Sequence, residues 1–195
     1  ILFGVLWIGL LYYFNFVQTE YFKDSEPSAK SDVVQKLVPN ALWYFRWAAA
    51  FTFLTGLYLL YWLSITVNIG IVLGSLMGTL MAANVWFVIW PNQKKVIAGA
   101  PDAADAGAKA GLASRTNTLF SLPMLYLMVF SAHGGSLPMI AVTDMTGLWV
   151  GIAIIVLIEA NALFGKMNPL ITSVKAVIHS GLLLTLVFGI LVHYL

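Results

Sequence analysis

Six apolar runs divide this sequence, at about residues 1–17, 41–65, 69–90, 116–132, 147–164 and 171–194. A helix of roughly 17–25 such residues crosses a hydrocarbon core of about 30 Å, and there it satisfies its own backbone polar groups. The runs predict an all-α fold: a polytopic membrane bundle of six transmembrane helices, forming a single domain over residues 1–195. Composition agrees, with 61% hydrophobic and 9% charged residues, against about 45–50% and about 25% in a soluble domain. A lipid bilayer is therefore the first partner the chain requires. A net charge of +2, thinly scattered, excludes the electrostatic footprint of a nucleic-acid binder. The first run lacks a basic flank and a small-residue cleavage site, and reads as a retained helix rather than a signal peptide.

The connections alternate between two faces, with 18–40, 91–115 and 165–170 on one and 66–68 and 133–146 on the other. Lys23, Lys30, Lys36, Arg46, Lys94, Lys95, Lys109, Arg115, Lys166 and Lys175 all fall on or near the first face. Cytoplasmic loops carry the Lys/Arg excess, so both ends of the chain are expected on the periplasmic side of a bacterial inner membrane. Arg46 and Lys175 lie within about a turn of the inner ends of their runs, where long cationic side chains snorkel. Residues 23–32 read as a solvated loop, and residues 101–113 as a short helix on the inner surface.

Polar and small residues inside the runs are the places to look for chemistry. Gly70, Gly74 and Gly78 form a stripe on the third helix that permits close backbone approach. Glu159 lies within the fifth helix, where a carboxylate needs a partner, and His179, Lys175 or Asn161 is expected to supply it. That pair has two readings, proton transfer or simple mutual satisfaction.

There are no cysteines, which excludes disulfides, iron–sulfur clusters and covalent c-type haem attachment in this chain. A redox cofactor would then use His, Met or carboxylate ligands, or come from a partner. His179 and His193 are 14 residues apart on the last helix, pointing within about 40° of each other and separated by about 21 Å. Leu183, Leu186 and Ile190 lie between them on the same face. This spacing resembles that of di-haem membrane cytochromes b. His133, at the outer end of the fourth helix, shares its depth with His193. A bis-imidazole haem b or a copper site is one reading of that pair; interfacial side chains bonded to water or carbonyls are the other. No catalytic residue can be named.

Four stretches have distinctive wording: Trp7-Ile8-Gly9 followed by Tyr12-Tyr13-Phe14-Asn15-Phe16-Val17-Gln18; Trp43-Tyr44-Phe45-Arg46-Trp47-Ala48; Asn84-Val85-Trp86-Phe87-Val88-Ile89-Trp90-Pro91-Asn92-Gln93-Lys94-Lys95; and Arg115-Thr116-Asn117-Thr118-Leu119-Phe120-Ser121-Leu122-Pro123-Met124. Together they resemble the membrane domain of the bacterial urate oxidase (urate hydroxylase) N-terminal family, in which a multi-helix membrane part is commonly followed by a cytochrome c domain. The resemblance implies a membrane oxidoreductase component that passes electrons to a c-type cytochrome. It also implies a histidine shortly before Trp7-Ile8-Gly9, at a position just ahead of Ile1.

Two functions from different classes follow. The first is a haem-binding electron-transfer subunit, with His193, His133 and His179 as candidate ligands, working with a separate c-type cytochrome or a larger membrane complex. The second is a noncatalytic accessory subunit that packs through its glycine stripe and aromatic surfaces against a larger enzyme. A small-solute transporter fits less well, because no inverted repeat or pair of broken helices is evident.

Overall fold

A computed structural model of the chain describes residues 1–62, 68–134 and 145–194. The described residues are mostly helical, and they contain no strand. Helix α1 (Leu2–Tyr12) continues through a π-helical segment (Tyr13–Gln18) into α2 (Thr19–Asp24). The helix stops at Ser25 and Glu26, both with extended ψ, because a residue before proline is pushed out of the helical region. Pro27, suited to a first helical position, then starts α3 (Pro27–Asp32). A second π segment (Val33–Leu37) joins α3 to α4 (Val38–Trp62). The expected loop over residues 23–32 is thus helical apart from this two-residue break.

Asn68 caps α5 (Ile69–Ala83) by accepting a hydrogen bond from Ile71 N at 2.9 Å. A third π segment (Asn84–Ile89) leads to α6 (Trp90–Ile97). Gly99 ends that helix with φ +61°, a conformation glycine adopts without a Cβ penalty. Gly99 N donates to Val96 O at 3.1 Å and Ala100 N to Lys95 O at 3.0 Å, the paired bonds of a Schellman closure. Next comes α7 (Ala103–His133), which merges the expected surface helix with the fourth run. Its Ala106, Ala110 and Ala113 are buried at helical spacing, and this half of α7 packs against α6 instead of lying free. The chain ends with α8 (Met145–Phe164) and α9 (Val174–Tyr194).

Among the described residues, four helices are long and apolar enough to cross a membrane: Leu2–Asp24, Ile69–Ile97, Met145–Phe164 and Val174–Tyr194. The other two expected runs fall in α4, whose expected end at 63–65 lies outside the described residues, and in α7. In α7 the apolar stretch is interrupted by Thr116, Asn117, Thr118 and Ser121, all buried. These polar side chains face the interior because α7 is the central helix, packed against α1, α5, α6, α8 and α9.

The core is built from Trp7, Leu11, Phe45, Leu73, Met77, Phe120, Leu127, Ile155 and Phe188. Gly70, Gly74 and Gly78 are buried on α5, and the last two face α7: a Cβ on Gly74 would stand 3.1 Å from Met128 and one on Gly78 3.3 Å from it. On α8 the approach is closer still. A Cβ on Gly151 would lie 2.6 Å from the side chain of Leu73. The outer surface carries Leu54, Tyr58, Trp62, Trp149, Leu157 and Leu183 exposed. So much exposed apolar surface is unlike a soluble monomer and matches a lipid surround.

Candidate functional site

The interior polar cluster is assembled from three helices. Asn84 opens the π segment after α5, Asn117 lies near the middle of α7, and Glu159 is on the last turns of α8; all three are buried. Asn84 Nδ2 donates to Asn117 Oδ1 at 3.0 Å and to Glu159 Oε2 at 3.2 Å. Asn117 Nδ2 in turn donates to Met81 O at 2.9 Å, which fixes the amide's orientation. A π turn is a common device at functional positions. Here it carries the residue that joins α7 to α8.

A second polar chain runs along the α1 side of α7. Asn15, buried in the first π segment, donates through Nδ2 to Leu11 O at 2.9 Å and to Ser114 Oγ at 2.8 Å. Ser121 Oγ donates to Thr118 O at 2.7 Å, which leaves it the acceptor for Tyr12 OH at 2.9 Å. Arg115 on the same helix is buried, and its Nη1 has no hydrogen-bond partner among the described residues.

The partner of Glu159 is therefore Asn84 and not His179 or Lys175, both of which are exposed on α9. Position along a helix says nothing of direction around its axis, and both of these side chains point away from the interior. A carboxyl held by a neutral amide can accept as the anion or donate as the acid, so the cluster contains one site where a proton can be held or released. Asn84 and Asn117 were not singled out from the sequence, although an asparagine in an apolar run is itself a signal.

The histidines are dispersed. His193 Nε2 and Tyr126 OH are hydrogen-bonded at 3.0 Å, and the imidazole packs edge-on against Phe130 with centroids 5.3 Å apart. His133 is exposed and lines an open apolar cavity of about 420 Å³ between α1, α4, α5 and α7. Trp7 also lines this cavity, and its buried Nε1 has no partner.

The expectation of haem b is not met. Among the described residues no group of three or more His, Asp or Glu side chains could hold a metal ion. The Nε2 of His193 is engaged by Tyr126, and Leu183, Leu186 and Ile190, on the face between the histidines, are exposed on the outer surface. The donor set does not fit the group.

A family profile described as urate oxidase N-terminal matches residues 67–188. The match takes in α5 through most of α9, and with them Asn84, Asn117 and Glu159. No curated protein and no solved structure matches the chain.

Proposed function

Because the chain belongs to the urate oxidase N-terminal family, we propose that it is the membrane-embedded part of an oxidoreductase whose electrons leave through a c-type cytochrome. The chain has six transmembrane helices with both ends on the periplasmic side of a bacterial inner membrane. The one-sided distribution of its Lys and Arg residues supports that orientation. Urate is the substrate that the family description offers.

The observation that carries this reading is the buried Glu159 cluster inside the matched segment. An ionisable side chain within membrane helices is costly, and it marks a proton or substrate path by default. Oxidation of an organic substrate releases protons as well as electrons. In this reading Glu159 takes a proton, and Asn84, fixed by Asn117, holds the carboxyl in place while the partner cytochrome takes the electrons.

The test uses membranes containing the chain together with its co-purifying partners. Urate should reduce the c-type cytochrome, read by its visible absorbance, and Glu159→Gln should slow that reduction by about 10²-fold or more at unchanged protein level. A wild-type assembly that carries the cytochrome but gives no urate-dependent reduction would make the chain a noncatalytic accessory subunit.

A further inference from the structure

Two cations from different helices meet on one aromatic ring. The Cζ of Arg46, on α4, lies 4.2 Å from the ring centroid of Trp90, and the Nζ of Lys94, on α6, lies 4.3 Å from it. Lys95, next to Lys94 in sequence, is instead bridged to Asp102 at 2.6 Å, and Lys36 is bridged to Asp32. Arg46 and Lys94 have no carboxylate partner among the described residues. The Nε of Arg46 is buried without a hydrogen-bond partner. A ring face relieves part of the cost of a desolvated cation, but two like charges near one ring still repel, and an anion in contact with both offsets that repulsion.

The space for an anion is present. A pocket of about 380 Å³ lies against these groups, walled by Leu42, Trp43 and Ile97 as well as by Arg46, Trp90 and Lys94. Its lining combines two cationic side chains with aromatic and aliphatic ones. It stands at the end of the candidate span Ile69–Ile97, beside exposed Trp43, Tyr44 and Trp47. Tryptophan and tyrosine concentrate at the headgroup level of a bilayer, and basic pockets between helices at that level bind anionic headgroups.

We infer that this pocket binds the phosphate of an anionic phospholipid, with Arg46 and Lys94 as its cationic ligands and the apolar wall receiving the start of the lipid's hydrocarbon. A free phosphate would match the charges but would leave the apolar wall unused. The site is separate from the Glu159 cluster and does not rest on the oxidoreductase reading.

The test is lipid retention by the detergent-purified full chain, read by native mass spectrometry with phosphatidylglycerol, phosphatidylcholine and inorganic phosphate as probes. The wild type should prefer phosphatidylglycerol, and that preference should fall about fivefold for each cation removed in Lys94→Gln and in Arg46→Gln/Lys94→Gln. Lys95→Gln, whose charge is already matched by Asp102, should leave it unchanged. Lys94 is exposed, so Lys94→Gln alone decides the matter if the double variant does not fold. Equal retention of the two lipids by the wild type, or a preference that survives Lys94→Gln undiminished, overturns the proposal. Displacement of phosphatidylglycerol by inorganic phosphate at comparable concentration would assign the site to free phosphate and overturn the lipid assignment.

Discussion

Asn84 Nδ2 stands 3.2 Å from Glu159 Oε2 and 3.0 Å from Asn117 Oδ1, so one amide nitrogen holds α7 and α8 to the π segment that follows α5. Both of its hydrogens are committed, and each acceptor is buried. Among the described residues, Asn84 is the side chain that bonds the Glu159 carboxyl.

Glu159→Gln should be tolerated better than Glu159→Leu. The amide can still accept from Asn84, whereas the alkyl chain strands a buried donor, at a cost of about 1–3 kcal/mol. Asn84→Leu should cost as much or more, because it strands Glu159 and Asn117 together. Thermal unfolding in detergent measures the order. Equal midpoints for the Gln and Leu variants would place Glu159 in contact with water.

Gly151→Ala should destabilise the chain by about 1–3 kcal/mol, because the new Cβ would press into Leu73, itself fully buried. Gly9→Ala and Gly111→Ala meet nothing within 4 Å, and should be neutral or stabilising by up to about 1 kcal/mol. The same unfolding assay separates the two classes.

Lys95 binds Asp102 at 2.6 Å across the connection between α6 and α7 and holds its carboxyl below the ordinary carboxylate range. Because the folded value is the lower one, the pair contributes fully above the unfolded carboxylate's range, and its contribution is lost as pH falls through the depressed folded value. The pair is exposed, so the effect is small and shrinks with added salt. Asp102→Asn should flatten the acid side of the stability profile and leave the neutral side nearly unchanged, as thermal scans across the acid range will record.

Single cysteines introduced into this cysteine-free chain report its orientation. Positions beside Lys94 and Lys95 should resist a membrane-impermeant thiol reagent in intact cells, whereas positions near either end should react from the periplasmic side. Efficient labelling beside Lys94 would invert the topology.

The helical character of the chain could be read from its apolar runs, since run length and backbone satisfaction leave little choice in lipid. The direction each helix faces could not. Gly74 and Gly78 form a stripe in the sequence, but only packing shows that the stripe meets Met128 on α7. Glu159 could be flagged because a carboxylate in an apolar run needs a partner. Its partner Asn84 was hidden because a π turn shifts the face on which a side chain emerges. The histidines misled for the opposite reason: spacing put His179 and His193 on one side of α9, yet the leucines between them face outward.

A turn closed by i→i+5 hydrogen bonds holds one residue more than an ordinary turn, and this has a consequence for the helix that runs from Ile69 to Ile97. Winding Asn84–Ile89 as ordinary α-helix, with no residue removed, would swing everything beyond it by about 100°. Asn84 would keep its hold on Glu159 while Trp90 and Lys94 rotated away from Arg46. The extra residue thus acts as a phase-setter between the interior of the bundle and its rim, aligning two surfaces of one rod that a regular helix would leave out of step.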